Sequence, residues 1–463
     1  MKRVSGALLA AALSLVATSR AWADEAAGAP SPTTRANVRA LPEVLELAER
    51  NHPTIEMARA KVAQVRAQLD EAHYAPFSQF KMTGGVALAP TVLGNNTFSP
   101  NTDVSLTSSL GLAWRAGIDG VVPLWTFGKV TSLWDAAEAN VEVNEANLEV
   151  TRDAVRMDVR KAYFGLQLAR DTAALLDEVD DAVHKGVERL KEHADEEDDT
   201  GIDLLELQSY EAELEARKSE IKRFVVVALA GLRFYTGVPD LDIPDLPLAM
   251  PRHELGDVTR YLMAAKLYRP EIQMARAGVM ARSAQVEMSR AQLFPDIGLG
   301  LSAGLSAAPE VADQINPFVS DPGNYFHYGA ALVFQWKLDV LPQDARIRYA
   351  EAQLEEVRAQ LRYALGGVAA DVERAHAEAV DWKGRVEAYR DAVKYAKRWL
   401  IKVQHGIDVG TVEDKELIRP AKAYATQKYS LLNATMEYDM AIAGLAKATG
   451  WDAIAPDGQA PPR

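Results

Sequence analysis

The chain has 463 residues, 25 % of them charged, and its 65 acids against 51 Lys and Arg give a formal net charge of −14. That sign disfavours a nucleic-acid partner, whose phosphates select basic surfaces. No cysteine is present, which excludes disulfides, thiol chemistry and lipid attachment at an N-terminal cysteine.

Lys2 and Arg3 precede a short apolar run that ends at Ala21-Trp22-Ala23. This pattern predicts a secretory signal peptide over residues 1–23, too short to serve as a spanning helix. No later segment holds about 18 consecutive apolar residues. If the exported chain enters a membrane, it must do so through β-strands.

Two phrases then occur twice in the same order. PTIEMARAKV (53–62) returns as PEIQMARAGV (270–279), and AGLRFYTG (230–237) returns as AGLAKATG (443–450). The duplication divides the mature chain into a first repeat (24–238), a crossover linker (239–256), a second repeat (257–450) and a tail (451–463). The crossover is expected to lie beside the helices as part of a belt.

After each opening helix the hydrophobic period drops to two. Val104, Leu106, Leu110, Leu112, Trp114 and Ile118 alternate with small or polar residues that include Arg115 and Asp119. In the second repeat Ile297, Leu299, Leu301, Ala303 and Leu305 alternate with Gly and Ser, and Phe326, Tyr328, Leu332, Phe334 and Trp336 follow. Strands of about 10 residues with one apolar face and one small or polar face fit a membrane barrel with a wet interior. A half-buried soluble sheet has the same alternation. A first strand near residues 77–89 is less regular, with Gly84 and Gly85 expected to interrupt it.

Long windows without proline follow, from Pro123 to Pro239 and from Pro342 to Pro420. One heptad register runs Val141, Leu148, Val155, Ala162, Ala169, Leu176, Val183, Leu190. Its counterpart runs Ile347, Leu354, Leu361, Val368, Ala375, Trp382, Tyr389, Ala396. Such a repeat imposes left-handed supercoiling on helices that, at ~65 residues, reach about 100 Å. The helices reverse at polar segments, 193–203 and 405–416, and the heptad returns. Pro420 either kinks the second returning helix or marks its start. Each repeat thus supplies one β-hairpin and one long helical hairpin. Four strands are too few to close a barrel, so the chain is expected to oligomerise; closure alone allows a dimer, trimer or tetramer.

With Asn51 and Pro53 opening a helix, Ala72 and Pro76 leading into a strand, VPLWTFGK (122–129), WKLDVLPQDAR (336–346) and two L-x-x-x-T-G turns, the chain resembles the TolC-like outer-membrane efflux proteins. The resemblance covers about residues 40–452. It implies an α+β membrane protein: an outer-membrane β-barrel, four strands per chain and twelve per trimer, continuous with a long periplasmic α-helical barrel. It implies a homotrimeric passive exit duct of a tripartite efflux or type I secretion system, partnered by a periplasmic adaptor, an inner-membrane transporter and outer-membrane lipid. It also implies that the tips form the entrance, with Gly410 and Glu416 matching a glycine turn and an acid six residues on. The first tip keeps Asp203 but has Glu197 where glycine is usual. Arg419 stands where a second acid often lies, and Ile407 and Val412 replace the Tyr and Arg of the closed-state latch.

The eight histidines show no ligand spacing and no nucleophile has a base, so no enzyme activity, metal or cofactor is expected. The candidate entrance comprises Asp195, Glu196, Glu197, Asp198, Asp199, Asp203 and Glu416, a ring that would favour cations. Leu204, Gly410, Thr411 and Leu417 are the candidate adaptor-docking tip. The competing reading is a soluble periplasmic coiled-coil scaffold.

Overall fold

The computed structural model describes residues 37–93, 105–193, 200–309 and 323–458. The expected signal peptide, the acidic run 195–199 and parts of both strand-connecting loops lie outside these residues. The first repeat contains β1 (Asn37–Val38), α1 (Leu41–Asn51), α2 (Pro53–Tyr74), β2 (Phe80–Leu93), β3 (Ser105–Trp125), α3 (Lys129–His193) and α4 (Thr200–Thr236). After β4 (Leu241–Asp242) in the crossover, the second contains α5 (Val258–Tyr268), α6 (Pro270–Ala291), β5 (Asp296–Ala307), β6 (Tyr325–Gln335), α7 (Val340–Asp408) and α8 (Ile418–Thr449).

Proline sets the first joint of each repeat. The residue before a proline is pushed out of the helical region, so α1 breaks from α2 at His52 and α5 from α6 at Arg269, both extended. The broken pair has 11 and 22 residues in both repeats. The heptad windows form unbroken helices of 65 and 69 residues, α3 and α7. Their returning partners, α4 and α8, are only 37 and 32 residues long. The remaining length of each long helix is covered by α2 or α6. The opening and closing phrases of a repeat therefore meet end to end, which explains why both recur.

The long helices differ in burial because they differ in position. α3 packs on α4 and α8 towards the helical tips and on α2 and α6 towards the sheet. α7 has α8, α6 and α5 on one side only. Val155, Val159, Tyr163, Phe164 and Leu166 of α3 join Leu41, Ile55 and Leu232 in one core, each large side chain contributing roughly 1.5–3 kcal/mol. The predicted register of α7 holds at Leu354, Val368, Ala375 and Ala396, which are buried, and Val372, Ala379 and Val386 are buried beside it. The crossover lies against α3: Arg170 donates to the Ile243 carbonyl at 2.9 Å and Gln167 to that of Leu246 at 3.3 Å.

The four strands form one antiparallel sheet in the order β2-β3-β5-β6, two hairpins joined through β3 and β5. Gly84 and Gly85 pair with Ala116 and Arg115 and do not interrupt β2. β3 is longer than expected, at 21 residues, because Gly120 to Trp125 also pair with β5. A register shift follows Pro123, which has no N–H to give the ladder. No described helix is long and apolar enough to cross a membrane.

Candidate functional site

The sheet register puts the apolar side chains on one face. Leu88 stands opposite Leu112, Met82 opposite Ile118, Leu299 opposite Leu332, and Ile297 opposite Phe334. Met82, Leu88, Leu112, Tyr328, Leu332 and Phe334 are exposed large hydrophobics with nothing covering them. The other face carries Lys81, Asp119, Ser302 and Gly329 in one cross-strand row, and Gly85, Arg115, Ser306 and Tyr325 in another. An apolar outer face and a small, polar inner face are what a wall between lipid and water requires.

Both layers end at the same two edges. In the sheet, β2 and β6 are each paired on one side only. Among the helices, α2 and α4 flank α3 on one edge, while α7 forms the other. Since α2 leads into β2 and β6 leads into α7, one edge is continuous from strand to helix on each side.

The second tip closes through its glycine. Gly410 has φ +73°, a conformation in which a Cβ is strained, and its N–H bonds the Ile407 carbonyl at 2.9 Å. Thr411 returns to the Gly406 carbonyl through its N–H at 2.8 Å and its hydroxyl at 3.0 Å. A 3-10 turn (Asp414–Leu417) follows, and α8 starts at Ile418. Pro420 is its third residue and so marks a start rather than a kink, because first-turn N–H groups need no helical partner.

The predicted tip residues are not all equivalent. Gly410, Thr411, Glu416 and Arg419 are exposed. Leu417, expected on the docking surface, is instead buried, its side chain beside Gly186 of α3, while the adjacent Ile418 packs among Val183, Val187, Leu207 and Leu214. Its heptad position turns it into the packing between the two helical hairpins. Leu204 is half-buried against the same cluster. Asp203 lies in the first turn of α4, and Asp195, Glu196, Glu197, Asp198 and Asp199 lie outside the described residues.

Contacts between the hairpins were missed in the sequence. Arg189 pairs with Asp408 at 3.4 Å, and Lys422 lies 3.8 Å from Glu213. The Tyr424 hydroxyl donates to Glu178 at 3.3 Å, and burial, then the Glu178 charge, hold its pKa above the usual value. No local pattern could reveal these pairs, whose partners lie in different repeats. On α3, Asp180 and Asp177 hold the Lys218 ammonium above its ordinary pKa. Farther up, the buried Arg160 reaches Asp452 at 2.7 Å, and Arg156 bonds Glu49 at 2.6 Å.

The family model for outer membrane efflux proteins matches residues 44–238 and 262–451, one segment per repeat. Protein CyaE of Bordetella pertussis is 26 % identical over 379 residues, 80 % of this chain and 74 % of that protein. The open-state MtrE outer membrane channel of Neisseria gonorrhoeae superposes with a TM-score of 0.74 at 17 % identity, over 91 % of each chain. The CmeC outer membrane channel of Campylobacter jejuni gives 0.69 at 16 % identity, over 93 % of this chain and 92 % of that one. The matched family consists of channels rather than enzymes. With matching segments in both repeats, the chain belongs to the outer membrane efflux protein family and is an outer-membrane duct for efflux.

Proposed function

We propose that three copies close head to tail into a passive exit duct, a twelve-stranded barrel in the outer membrane continuous with a helical barrel in the periplasm. The observation that carries this reading is the shared pair of edges. Within the chain, β3 of the first repeat pairs with β5 of the second, and α3 packs on α8. Because the repeats are equivalent, β6 and α7 of one copy present to the next copy the surfaces that β3 and α3 present within the chain. An open sheet edge cannot face lipid, and four strands cannot close alone.

In this reading the tips form the periplasmic entrance. Asp203, Glu416 and the run Asp195 to Asp199 make its mouth negative, favouring cations. Gly410 and Thr411 form the adaptor-docking surface, and energy comes from an inner-membrane transporter. The soluble-scaffold alternative is disfavoured by the uncovered apolar face of the sheet.

Membrane extraction and single-channel recording test this. The protein should leave membranes with detergent but not with salt, run as a heat-labile trimer, and conduct in planar bilayers. Salt extraction as a monomer would overturn the duct. Asp203→Asn with Glu416→Gln should weaken cation preference and divalent block; unchanged selectivity would remove these residues from the mouth.

A further inference from the structure

Along the helical hairpins the heptad registers and the closing turns share one offset, 354 − 141 = 450 − 237 = 213, so positions of α3 and α4 have equivalents on α7 and α8. Comparing burial at equivalent positions picks out surfaces that are covered in one repeat and bare in the other. Ile418 of α8 is 8 % exposed, whereas its equivalent Leu205 of α4 is 66 % exposed. Gln167 of α3 is 3 % exposed, and its equivalent Val380 of α7 is 51 % exposed. The bare positions lie on α4 and α7, the two edge helices.

Near the tip, the chain itself provides the template for what covers them. A Cβ on Gly186 of α3 would lie 2.9 Å from Leu207 of α4 and 3.7 Å from Leu417, the residue before Ile418 of the cluster between the hairpins. The equivalents are Trp399 of α7 for Gly186, Leu204 for Leu417 and Leu205 for Ile418. Trp399 is an exposed large hydrophobic, as is Leu205. The two stretches are level, because Ala396 and Leu400 of α7 share a cluster with Leu207 and Leu214 of α4. Within one chain, however, they lie on opposite edges of the layer.

Resting on the head-to-tail trimer, we propose that Trp399 of each copy packs against Leu204 and Leu205 of the next, an intersubunit contact holding the wall together just above the entrance. The occupant of this apolar surface is a second copy, because the contact continues an interface already formed between the repeats. The substitution of glycine by tryptophan also makes the seams unequal. The seam within a chain has only the hydrogen of Gly186 beside Leu417, and the seam between copies is filled by an indole. Three narrow seams would alternate with three wider ones around the entrance.

The chain has no native cysteine, so paired cysteines report directly. Leu205→Cys with Trp399→Cys, oxidised in isolated membranes, should give covalent trimers on a denaturing non-reducing gel, while either single variant gives none. A disulfide requires Cα atoms within about 7 Å, so its formation is a geometric statement. Trp399→Ala should lower the temperature at which the trimer dissociates, and Trp399→Phe should recover most of that loss. A native trimer whose paired cysteines stay unlinked, or whose dissociation ignores Trp399→Ala, overturns the contact and leaves the duct intact. Absence of any trimer in the unmodified protein overturns the duct reading itself.

Discussion

The joint where each repeat closes on its own opening helix is built twice, with different chemistry. In the first, α4 ends at Gly237 (φ +68°), and Asn51 Nδ2 donates to the Thr236 carbonyl at 2.8 Å. In the second, α8 ends at Gly450 (φ +67°), and the Arg269 guanidinium donates to the Ala448 carbonyl at 3.2 Å while pairing with Asp371 at 3.0 Å. Both joints keep a buried threonine whose hydroxyl bonds the carbonyl four residues back at 2.8 Å. What duplication preserved is the left-handed glycine and the capped helix end; the side chain that caps it was free to change. The fit is also unequal. A Cβ on Gly450 would sit 2.6 Å from the Tyr268 carbonyl oxygen, whereas one on Gly237 meets nothing closer than Asn51 Cβ at 3.5 Å.

That inequality leads to the largest expected effect. Gly450→Ala combines left-handed strain with a backbone clash and should cost about 3 kcal/mol or more, against about 1 kcal/mol for Gly237→Ala. Denaturant unfolding of both variants in detergent measures this, and equal shifts would refute the claim that the second joint is tighter. Next comes the capping side chain. Arg269→Met removes the bond to the Ala448 carbonyl and the ion pairs with Asp371 and Glu271 and should cost about 2–3 kcal/mol, whereas Asn51→Ala loses one neutral hydrogen bond, about 1 kcal/mol. The reverse order would show that charge does not strengthen the second joint. Thr236→Val and Thr449→Val should each cost about 1 kcal/mol, since the two hydroxyls make the same bond. A large difference between them would mean that only one hydroxyl contributes.

The smallest expected effect has the opposite sign. Asp439 of α8 is buried, with one carboxyl oxygen unpartnered, while its first-repeat equivalent on α4 is the exposed Val226. Burial first, and the Asp457 charge second, push the Asp439 pKa well above its ordinary value. Between those two values the folded protein holds a proton that the unfolded chain has released. Stability therefore falls as pH rises through the window. Asp439→Asn copies the neutral form and should raise the unfolding midpoint at neutral pH, a gain that disappears as pH approaches about 4. An equal gain at both pH values would show that titration is not its cause.

Features with a local cause were legible in the sequence. Pro53 and Pro270 break their helices because a pyrrolidine ring constrains the residue before it. The seven-residue period from Val141 to Val183 survives as packing because it reflects one helix face. The alternation around Leu112 and Leu299 correctly separated the two faces of the sheet. Gly410 was legible as a turn because few other residues adopt its backbone angle. Less legible was the length of β3, since pairing from Val122 onward depends on the second repeat reaching it. Leu417 misled for a related reason: a leucine beside a polar turn can face a partner protein or a neighbouring hairpin, and only packing chooses.

The sequence alone determined the duplication, the order of helix and strand in each half, and the proline and glycine points where the backbone must turn, because these follow from period and from the conformations each residue permits. The tertiary structure alone decided that the phrases opening and closing a repeat touch, that α3 is central while α7 is an edge, and that Ile418 is covered while Leu205 is bare. These depend on which elements meet across hundreds of residues, and equivalent side chains differ in fate when one repeat has a neighbour on a side where the other has none.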